Sequence, residues 1–366
     1  DFTEHHFFAR TGRHALSRDL DRIDREYRAL GKALEGRGVE VINLSRESRL
    51  TAFPKGRPED LTTDRSADRA HGALGRSLRI LSYATTPVAG VPAILARCIA
   101  ARTGHQAECV WARGDYGNGV CYPGGVQWRR EPAKARELLA GADAVIVHNG
   151  KVAAEHRGIL AGKPVITMAH NYLRNVDQGY VRKGHPGVVV AQYQATLPEL
   201  KSWTPLPNPV PLWERDYGAA PKHSDVTICY TPSGKRERYP KGHRLYWHGK
   251  GYRTTVRVLE RLAGRYPLRL ELVRERQLPH ERVLAMKQRS HIVIDECVTG
   301  SYHRNSLEGL AMGCVVVNGI GLLPGVAELF RHCSGSGGDP PFVPATLENL
   351  EAVLAGLIEL GAEELA

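Results

Sequence analysis

The stretch that decides the fold is residues 290–323, SHIVIDECVTGSYHRNSLEGLAMGCVVVNGIGLL. An apolar run at 292–294 ends in two acidic residues, and a short glycine- and serine-containing loop follows. A helical pattern over 305–312 then closes on a glycine, and a second β-branched run occupies 315–317. This order of strand, loop, helix and strand is typical of a parallel α/β unit.

Glu308 lies within the first turn or so of the predicted helix. Parallel α/β sheets bind ligands beyond the carboxyl ends of their strands, where loops enter helix N-termini. Free backbone N–H groups at such an N-terminus hold phosphates, and a carboxylate beside them can accept hydrogen bonds from a ribose diol. The alternative is an ordinary crossover helix, in which the helix dipole favours a glutamate near the N-terminus.

The same stretch resembles the donor-binding end of GT-B glycosyltransferases, in particular the large retaining family that uses nucleotide-activated sugars (glycosyl transferases group 1). That family's pattern is D-I-x-I-D-Q, a short Gly/Tyr loop, and x-x-E-A-M-A-x-G-x-P-V. Here it corresponds to 295–296, 300–302, 308–313 and 315–316. One position departs, because the family's first glutamate falls on Gly300. The sugar-hydroxyl contact of the usual E-x7-E pair would therefore lack its first carboxylate here.

The resemblance implies an α/β protein of the GT-B class, with two Rossmann-like domains whose parallel sheets face a central cleft. The nucleotide sugar would bind mainly to the second domain, with its ribose on Glu308 and its diphosphate on Lys250. A leaving diphosphate accumulates negative charge, which fixed cations stabilise. Alternatively, Lys250 is a solvated lysine at a helix start. The other donor contacts that the resemblance implies are Ser233, Lys235, Arg236, Gly300, Ser301, Tyr302 and Asn305.

A second α/β pattern begins near residue 78. It predicts a strand at 78–82, a loop of small residues at 83–90, a helix at 91–103 and a strand at 105–111. The loop lacks G-x-G-x-x-G, so the dinucleotide-binding fingerprint is absent. Gly90 has no side chain and would let the backbone approach a donor phosphate or the acceptor closely, or it is simply a helix-start glycine.

Two later predicted strands, 144–147 and 164–168, each run into a histidine at the carboxyl edge of the sheet. By resemblance, His170 contacts the transferred sugar, and His148 and Asn149 lie on the acceptor side. His148 could alternatively act as the acceptor base, since an imidazole can accept a hydroxyl proton at neutral pH. The alternative for both histidines is a polar surface position without a catalytic role.

The chain divides at a proline-rich segment. We predict an N-terminal extension and linker at 1–76, an acceptor domain at 77–204, a hinge at 205–211 and a donor domain at 212–366. The first part of the extension weakly resembles the end of a Rossmann-like domain of motility accessory and sialyltransferase-like proteins. On that resemblance, the chain is the second half of a larger, bifunctional polypeptide.

Composition indicates a globular protein that binds anions. Of 366 residues, 42% are hydrophobic and 24% charged, and the net charge of +11 favours nucleotide sugars or anionic surfaces as partners. Apolar runs fall short of the roughly 18 residues that span a bilayer, and no signal peptide is visible. The seven cysteines form no C-x-x-C pair and are expected to be reduced. We therefore expect a cytoplasmic protein, with peripheral contact at the inner face of an anionic membrane.

The expected function is transfer of a sugar from a nucleotide-sugar donor to a glycan, lipid-linked or protein acceptor, with retention by resemblance. No D-x-D motif stands at a strand end, so neither a metal nor another cofactor is expected. No aromatic-basic RNA motif is present, so no specific nucleic-acid partner is expected. Two alternatives stay open, a nucleotide-sugar epimerase or hydrolase of the same fold, and a non-catalytic basic binding protein with a GT-B fold.

Overall fold

The computed structural model divides the chain into two compact units, 1–75 and 76–366. In the first unit, the described residues include part of a helix, and the ring of Tyr27 meets that of Phe53 edge-on at 5.8 Å. The resemblance predicted for this unit falls almost wholly outside the described residues. The structure describes residues 25, 27–29, 32, 53–54, 77–113, 122–171, 175–177, 186–232, 249–273, 278–335 and 338–365.

The second unit contains two parallel β-sheets. The first sheet and its helices, described within residues 77–206, are called the first lobe. Its strands lie in the order β3-β2-β1-β4-β5-β6-β7, so the order reverses between β1 and β4. They are β1 Arg79–Ala84, β2 Gln106–Trp111, β3 Val126–Gln127, β4 Ala144–His148, β5 Val165–Ala169, β6 Gly187–Val190 and β7 Thr204–Leu206.

Three α-helices cover this sheet: α1 Val91–Arg102, α2 Pro132–Gly141 and α3 Arg157–Leu160. The helix α1 begins after Gly90, whose φ of 78° is left-handed and therefore suits glycine. It ends where the hydroxyl of Thr103 donates to the carbonyl of Ile99 at 2.7 Å. The strand and helix predicted on either side of Gly90 are thus present within two residues of their predicted bounds.

The second sheet and its helices, described within residues 226–365, are called the second lobe. The strands lie in the order β12-β11-β10-β8-β9, and here the order reverses between β8 and β10. The strands are β8 Thr227–Tyr230, β9 Arg269–Leu272, β10 Ile292–Ile294, β11 Val315–Asn318 and β12 Val343–Pro344. The helices are α4 Tyr252–Ala263, α5 His280–Gln288, α6 Arg304–Ala311, α7 Pro324–Ser334, α8 Leu350–Leu360 and α9 Ala362–Leu365.

The predicted α/β class with two Rossmann-like parallel sheets is confirmed. The decisive stretch forms β10, α6 and β11, and β10 pairs in parallel with β11 through Val293 and Val316. The predicted hinge is partly a strand, because Pro205 and Leu206 pair with β6 as the edge strand β7. Proline is tolerated there, since an edge strand leaves one row of its N–H positions without a ladder partner.

The two lobes pack directly against each other through α1. Ile94, 3% exposed, belongs to the same buried apolar cluster as Tyr302 and Phe330 of the second lobe. Beside it, Arg97 Nε lies 3.1 Å from Glu214 Oε1. Among the described residues, every helix is too short or too polar to span a bilayer.

Candidate functional site

Each sheet has one point where the strand order reverses, and such points are the ligand-binding crevices of open α/β sheets. In the first lobe the reversal lies between the ends of β1 and β4. In the second lobe it lies between the ends of β8 and β10. Residues that the sequence analysis selected lie at or after these strand ends.

The crevice of the first lobe contains a chain of three hydrogen-bonded side chains. Ser82 Oγ on β1 lies 2.9 Å from His148 Nε2, and His148 Nδ1 lies 2.7 Å from His170 Nε2. The two imidazoles stack with ring centroids 5.0 Å apart. The structure therefore brings together the two predicted histidines, and it adds Ser82, which the sequence analysis missed.

Backbone contacts hold the outer histidine in place. The N–H of His170 donates to Asn149 Oδ1 at 2.8 Å, and Gln194 Nε2 donates to the carbonyl of His170 at 2.9 Å. Asn149 itself has a φ of 56°, a left-handed conformation that asparagine adopts more readily than most residues. The predicted acceptor-side residue Asn149 thus positions His170 through its side-chain amide.

Both imidazoles are neutral at physiological pH. Burial lowers the pKa of His170 to about 3. Burial and the neighbouring His170 place the pKa of His148 well below its ordinary value of 6.5. A neutral imidazole has one N–H donor and one acceptor nitrogen. If the proton of His148 is on Nδ1, His170 Nε2 accepts the hydrogen bond between the rings, and otherwise His170 Nε2 donates it.

These shifts predict a loss of stability as the pH falls below about 6.5. In the unfolded chain these histidines are protonated near that pH, whereas in the folded chain they stay neutral. Their full contribution to the free energy of unfolding is therefore present above the unfolded pKa and decreases below it. Each such histidine contributes a slope of about 1.4 kcal/mol per pH unit. Urea unfolding at a series of pH values should show a shallower slope for His170→Asn than for the wild type. The exposed His332 provides the control, and an equal slope in His170→Asn would contradict the prediction.

In the second lobe, Asp295 organises the start of α6. One carboxylate oxygen, Oδ2, accepts hydrogen bonds from the His303 N–H at 2.7 Å and the Ser306 hydroxyl at 2.7 Å. Burial alone would raise the pKa of Asp295, but His303, Lys250 and Ser306 together lower it, so the side chain is a carboxylate. This fixed negative charge orients the polar groups around the helix N-terminus.

Lys250 is held by His303, the residue that caps α6. Its ammonium lies 3.0 Å from His303 Nε2, and His303 Nδ1 lies 3.2 Å from Asp295 Oδ2. Since the ammonium can only donate, Nε2 accepts and Nδ1 carries the proton that is donated to Asp295. Lys250 also has a φ of 49°, an uncommon conformation for lysine that the surrounding contacts maintain.

The loop before α6 is anchored by Glu296, which is 1% exposed. Its carboxylate accepts hydrogen bonds from the backbone N–H groups of Val298 and Thr299, at 2.9 and 2.8 Å, and from the Thr299 hydroxyl. Gly300 has a φ of 70°, and a Cβ built on it would lie 2.5 Å from Leu323 Cγ. A larger side chain at this position would require movement of Leu323 and a strained backbone, so the position suits glycine.

The remaining predicted donor residues lie on both sides of the N-terminus of α6. Asn305 connects three elements, because its Oδ1 accepts from Thr231 at 2.9 Å and its Nδ2 donates to the carbonyl of Ile294 at 3.2 Å. Ser301 is fully buried beside the backbone of Tyr302. The Tyr302 ring packs in the apolar core, so only its backbone can face a ligand.

Glu308 lies in a buried charged cluster. His280 Nε2 lies 3.0 Å from one carboxylate oxygen, and the same oxygen accepts from Arg304 Nε at 2.8 Å. The ammonium of Lys287 donates to the other oxygen. Burial alone would raise the pKa of Glu308, but Lys287, Arg304 and His280 together hold it well below its ordinary value. The predicted ribose contact is untested by these contacts and stays a prediction.

The two lobes meet at Gly90 and Arg304. A Cβ built on Gly90 would lie 3.0 Å from Arg304 Nη1 and 2.7 Å from Tyr122 Cδ1. Arg304 Cζ in turn lies 5.5 Å from the centroid of the Tyr122 ring. The N-terminus of α1 therefore faces the N-terminus of α6, which is the juxtaposition that two facing crevices require.

Ser233, Lys235 and Arg236 lie outside the described residues, so their contacts with a diphosphate stay predictions. Sequence reasoning missed Lys287 and His280, although Leu284 lies between them on the same helical face as a core residue. A polar pair on an apolar helical face is the signal that could have identified them. Within the described residues, no cluster of His, Cys, Asp or Glu is arranged to hold a metal ion.

No protein-family model matches the chain, and no curated protein matches it either. Among solved structures, the chain is similar to an alpha-glucosyltransferase (AGT) in complex with UDP, with 13% identity, a TM-score of 0.47 and coverage of 78% of this chain and 91% of that one. It is similar to the spinosyn forosaminyltransferase SpnP at 13% identity, a TM-score of 0.39 and coverage of 78% and 91%. It is also similar to the Streptomyces sp. SF2575 glycosyltransferase SsfS6 at 13% identity, a TM-score of 0.32 and coverage of 77% and 90%. These values are too low to transfer a function.

Proposed function

We propose that this protein is a glycosyltransferase that moves a sugar from a nucleotide-sugar donor to an acceptor hydroxyl. The observation that carries the proposal is the approach of the two helix N-termini, in which a Cβ on Gly90 would lie 3.0 Å from Arg304 Nη1. The dipole of a helix favours an anion near its N-terminus. At α1 the N–H groups of Gly90 and Val91 already donate to the carbonyls of Pro87 and Val88, and at α6 the His303 N–H donates to Asp295, so the dipoles supply most of the attraction. The N-termini of α1 and α6 face each other between the two sheets. This arrangement suits a nucleotide sugar, in which the diphosphate is attached directly to the reacting carbon.

The donor diphosphate is assigned to the N-terminus of α6. Lys250 is the cation beside it, and His303 holds the ammonium at 3.0 Å rather than leaving it free in solvent. A cation fixed before the reaction stabilises the charge that develops on the leaving diphosphate without reorganising. Further contacts come by resemblance from Ser233, Lys235 and Arg236, and Glu308 remains assigned to the ribose while it anchors Arg304.

The acceptor side is assigned to the histidine chain of the first lobe. A histidine with a pKa of about 3 is a weak base, so His170 is better suited to hydrogen-bonding a sugar hydroxyl than to retaining its proton. His148 and Ser82 set the tautomer of His170 and hence whether its other ring nitrogen, Nδ1, donates or accepts. We assign to His170 the contact with the transferred sugar, and to Asn149 its orientation.

Finer features of the proposal come from the resemblance. Transfer proceeds with retention and without a metal or another cofactor, the cation and the helix N-terminus supplying the charge stabilisation. The acceptor is a glycan, a lipid-linked sugar or a protein. The net charge of +11 is compatible with peripheral binding to an anionic membrane in the cytoplasm.

The test is a thermal-shift screen against uridine, guanosine, adenosine and cytidine diphosphates, followed by product analysis with the matching sugar nucleotides. A ligand that binds the folded state raises the melting temperature by mass action, so the preferred base shows directly. We expect one nucleoside diphosphate to stabilise the protein and its sugar to appear on an added acceptor. Epimerised or hydrolysed sugar from the donor alone would favour the isomerase or hydrolase. Salt-dependent nucleic-acid binding without nucleotide binding would favour a binding protein.

A further inference from the structure

The imidazole of His303 lies between two carboxylates and an ammonium. Its Nδ1 lies 3.2 Å from Asp295 Oδ2 and 3.9 Å from Glu296 Oε1, and its Nε2 lies 3.0 Å from Lys250 Nζ. Both carboxylates are almost fully enclosed, whereas the side chain of His303 is 27% exposed. The imidazole is therefore accessible both to a ligand and to a proton.

The charges around His303 leave room for one more proton. In the described part of the chain, the titratable side chains that contact the imidazole are two carboxylates and one ammonium. Hydrogen bonds from Ser306 to Asp295 and from two backbone N–H groups to Glu296 compensate the carboxylates only in part. A carboxylate within about 4–6 Å of a histidine favours its charged form, so a protonated His303 would balance the group.

The Lys250 ammonium opposes that proton. An ammonium has only donors, so it uses the lone pair of His303 Nε2 as its acceptor. A proton on Nε2 would place two N–H donors and two positive charges 3.0 Å apart, and like charges disfavour each other's charged forms. As long as Lys250 points at the imidazole, His303 therefore stays neutral.

A diphosphate beside Lys250 would reverse this balance. Its oxygens accept from the ammonium and replace Nε2 as the acceptor. The lone pair of Nε2 would then face an anion, which is unfavourable, whereas an N–H on the same atom would donate to a phosphate oxygen. Proton uptake by His303 therefore converts a repulsive contact into a charge-assisted hydrogen bond.

We propose that His303 takes up a proton when the donor diphosphate binds, and that its Nε2–H then holds a phosphate oxygen. The proton comes from solvent, and the Nδ1–H of the resulting imidazolium stays on Asp295. This role rests on the proposed function, since it takes the diphosphate to lie beside Lys250. Because linkage between two ligands is reciprocal, the affinity for the diphosphate increases as the pH falls.

The test is titration calorimetry of uridine, guanosine, adenosine and cytidine diphosphates at about pH 7, in buffers that differ in ionisation enthalpy. The dependence of the observed enthalpy on the buffer gives the number of protons taken up. A terminal phosphate also ionises near neutral pH, so the informative quantity is the difference between the wild type and His303→Gln. We expect the wild type to take up more protons, by up to about one per bound nucleotide.

The dissociation constant gives an independent measurement. We expect Kd to rise with pH more steeply in the wild type than in His303→Gln, by up to about tenfold per pH unit. The difference in affinity should be largest at acidic pH and smallest at alkaline pH, where the imidazole stays neutral in the complex. A purely structural role of His303 would instead weaken binding by the same factor at every pH.

His223→Gln is the matched control. The Nε2 of His223 also lies near a carboxylate, 3.7 Å from Glu271 Oε1, and its side chain is 23% exposed. It precedes β8 and so lies at the amino edge of the same sheet, away from the crevice. This variant should match the wild type both in proton uptake and in the pH dependence of Kd.

The outcomes separate this role from the proposed function. Nucleotide binding with equal proton uptake in the wild type and His303→Gln would overturn the role of His303 and leave the proposed function standing. If the wild type binds none of the four diphosphates, both fail. If His303→Gln does not fold, sugar nucleotides of the same bases, which have no terminal phosphate, give the uptake of the wild type directly, and an uptake of zero contradicts the proposal.

Discussion

Replacing Glu308 with glutamine is expected to lower the free energy of unfolding by about 3–5 kcal/mol, the usual effect of leaving a buried ionic partner uncompensated. The substitution removes the only carboxylate that contacts Lys287 and Arg304 among the described residues. Glutamine keeps the shape of the side chain, so the loss reports on charge rather than on a cavity. Urea unfolding followed by circular dichroism measures it.

A double-mutant cycle supplies the control. Lys287→Met alone should also destabilise the protein, but Lys287→Met combined with Glu308→Gln should cost less than the two single changes added together. Additive losses would show that Lys287 and Glu308 do not stabilise each other. The stabilisation by Glu308 also depends on pH, because the pKa of its carboxyl is lower in the folded chain than the unfolded value of 4.5. This contribution is fully present above pH 4.5 and is lost as the pH falls through the pKa of the folded state.

The second large effect is expected on turnover. Lys250→Ala should lower kcat for sugar transfer by about 10²–10³-fold, the effect of removing one fixed group that stabilises developing charge. Lys250 is only half-buried and its ammonium contacts a histidine rather than a carboxylate, so the folded state should be little affected.

Initial rates with a saturating sugar nucleotide test this expectation. Lys201→Ala is the matched control, since Lys201 is exposed and lies in the first lobe away from both crevices. A Lys250→Ala enzyme that turns over within about twofold of the wild type would remove Lys250 from the donor site, a difference of less than 0.5 kcal/mol in the barrier. A loss of turnover with an equal loss of stability would instead indicate a structural role for this lysine.

The local sequence pattern was sufficient to predict the strands and the helix of the decisive stretch. The apolar runs of β10 and β11 and the intervening helix α6 stand within a residue or two of their predicted bounds, because buried parallel strands are continuous apolar runs. The strands β3 and β12 have two residues each, too few for any periodicity, and were not predicted. The strand β7 was obscured by Pro205, which suggested only a hinge.

Within the site, the sequence predicted positions but not partners. Strand-end placement brought His148 and His170 to one edge, and the structure joins them at 2.7 Å. It could not predict that Lys287, twenty-one positions before Glu308, would contact it, because that contact depends on how α5 packs on α6. Gly300 was recognised as a departure from the pattern that the sequence resembles, whereas the side chain of Leu323, which limits the space there, lies in a segment that no local rule connects to it.

Ile94 has a consequence for motion between the lobes. It stands on a helix of the first lobe, yet its side chain is buried in an apolar cluster whose other members lie mostly in the second lobe. Any rotation that parts the two sheets must hydrate it, which costs about 1.5–3 kcal/mol for a side chain of this size. Burial of this side chain therefore favours the arrangement in which the two lobes are in contact, and any opening motion has to offset its contribution.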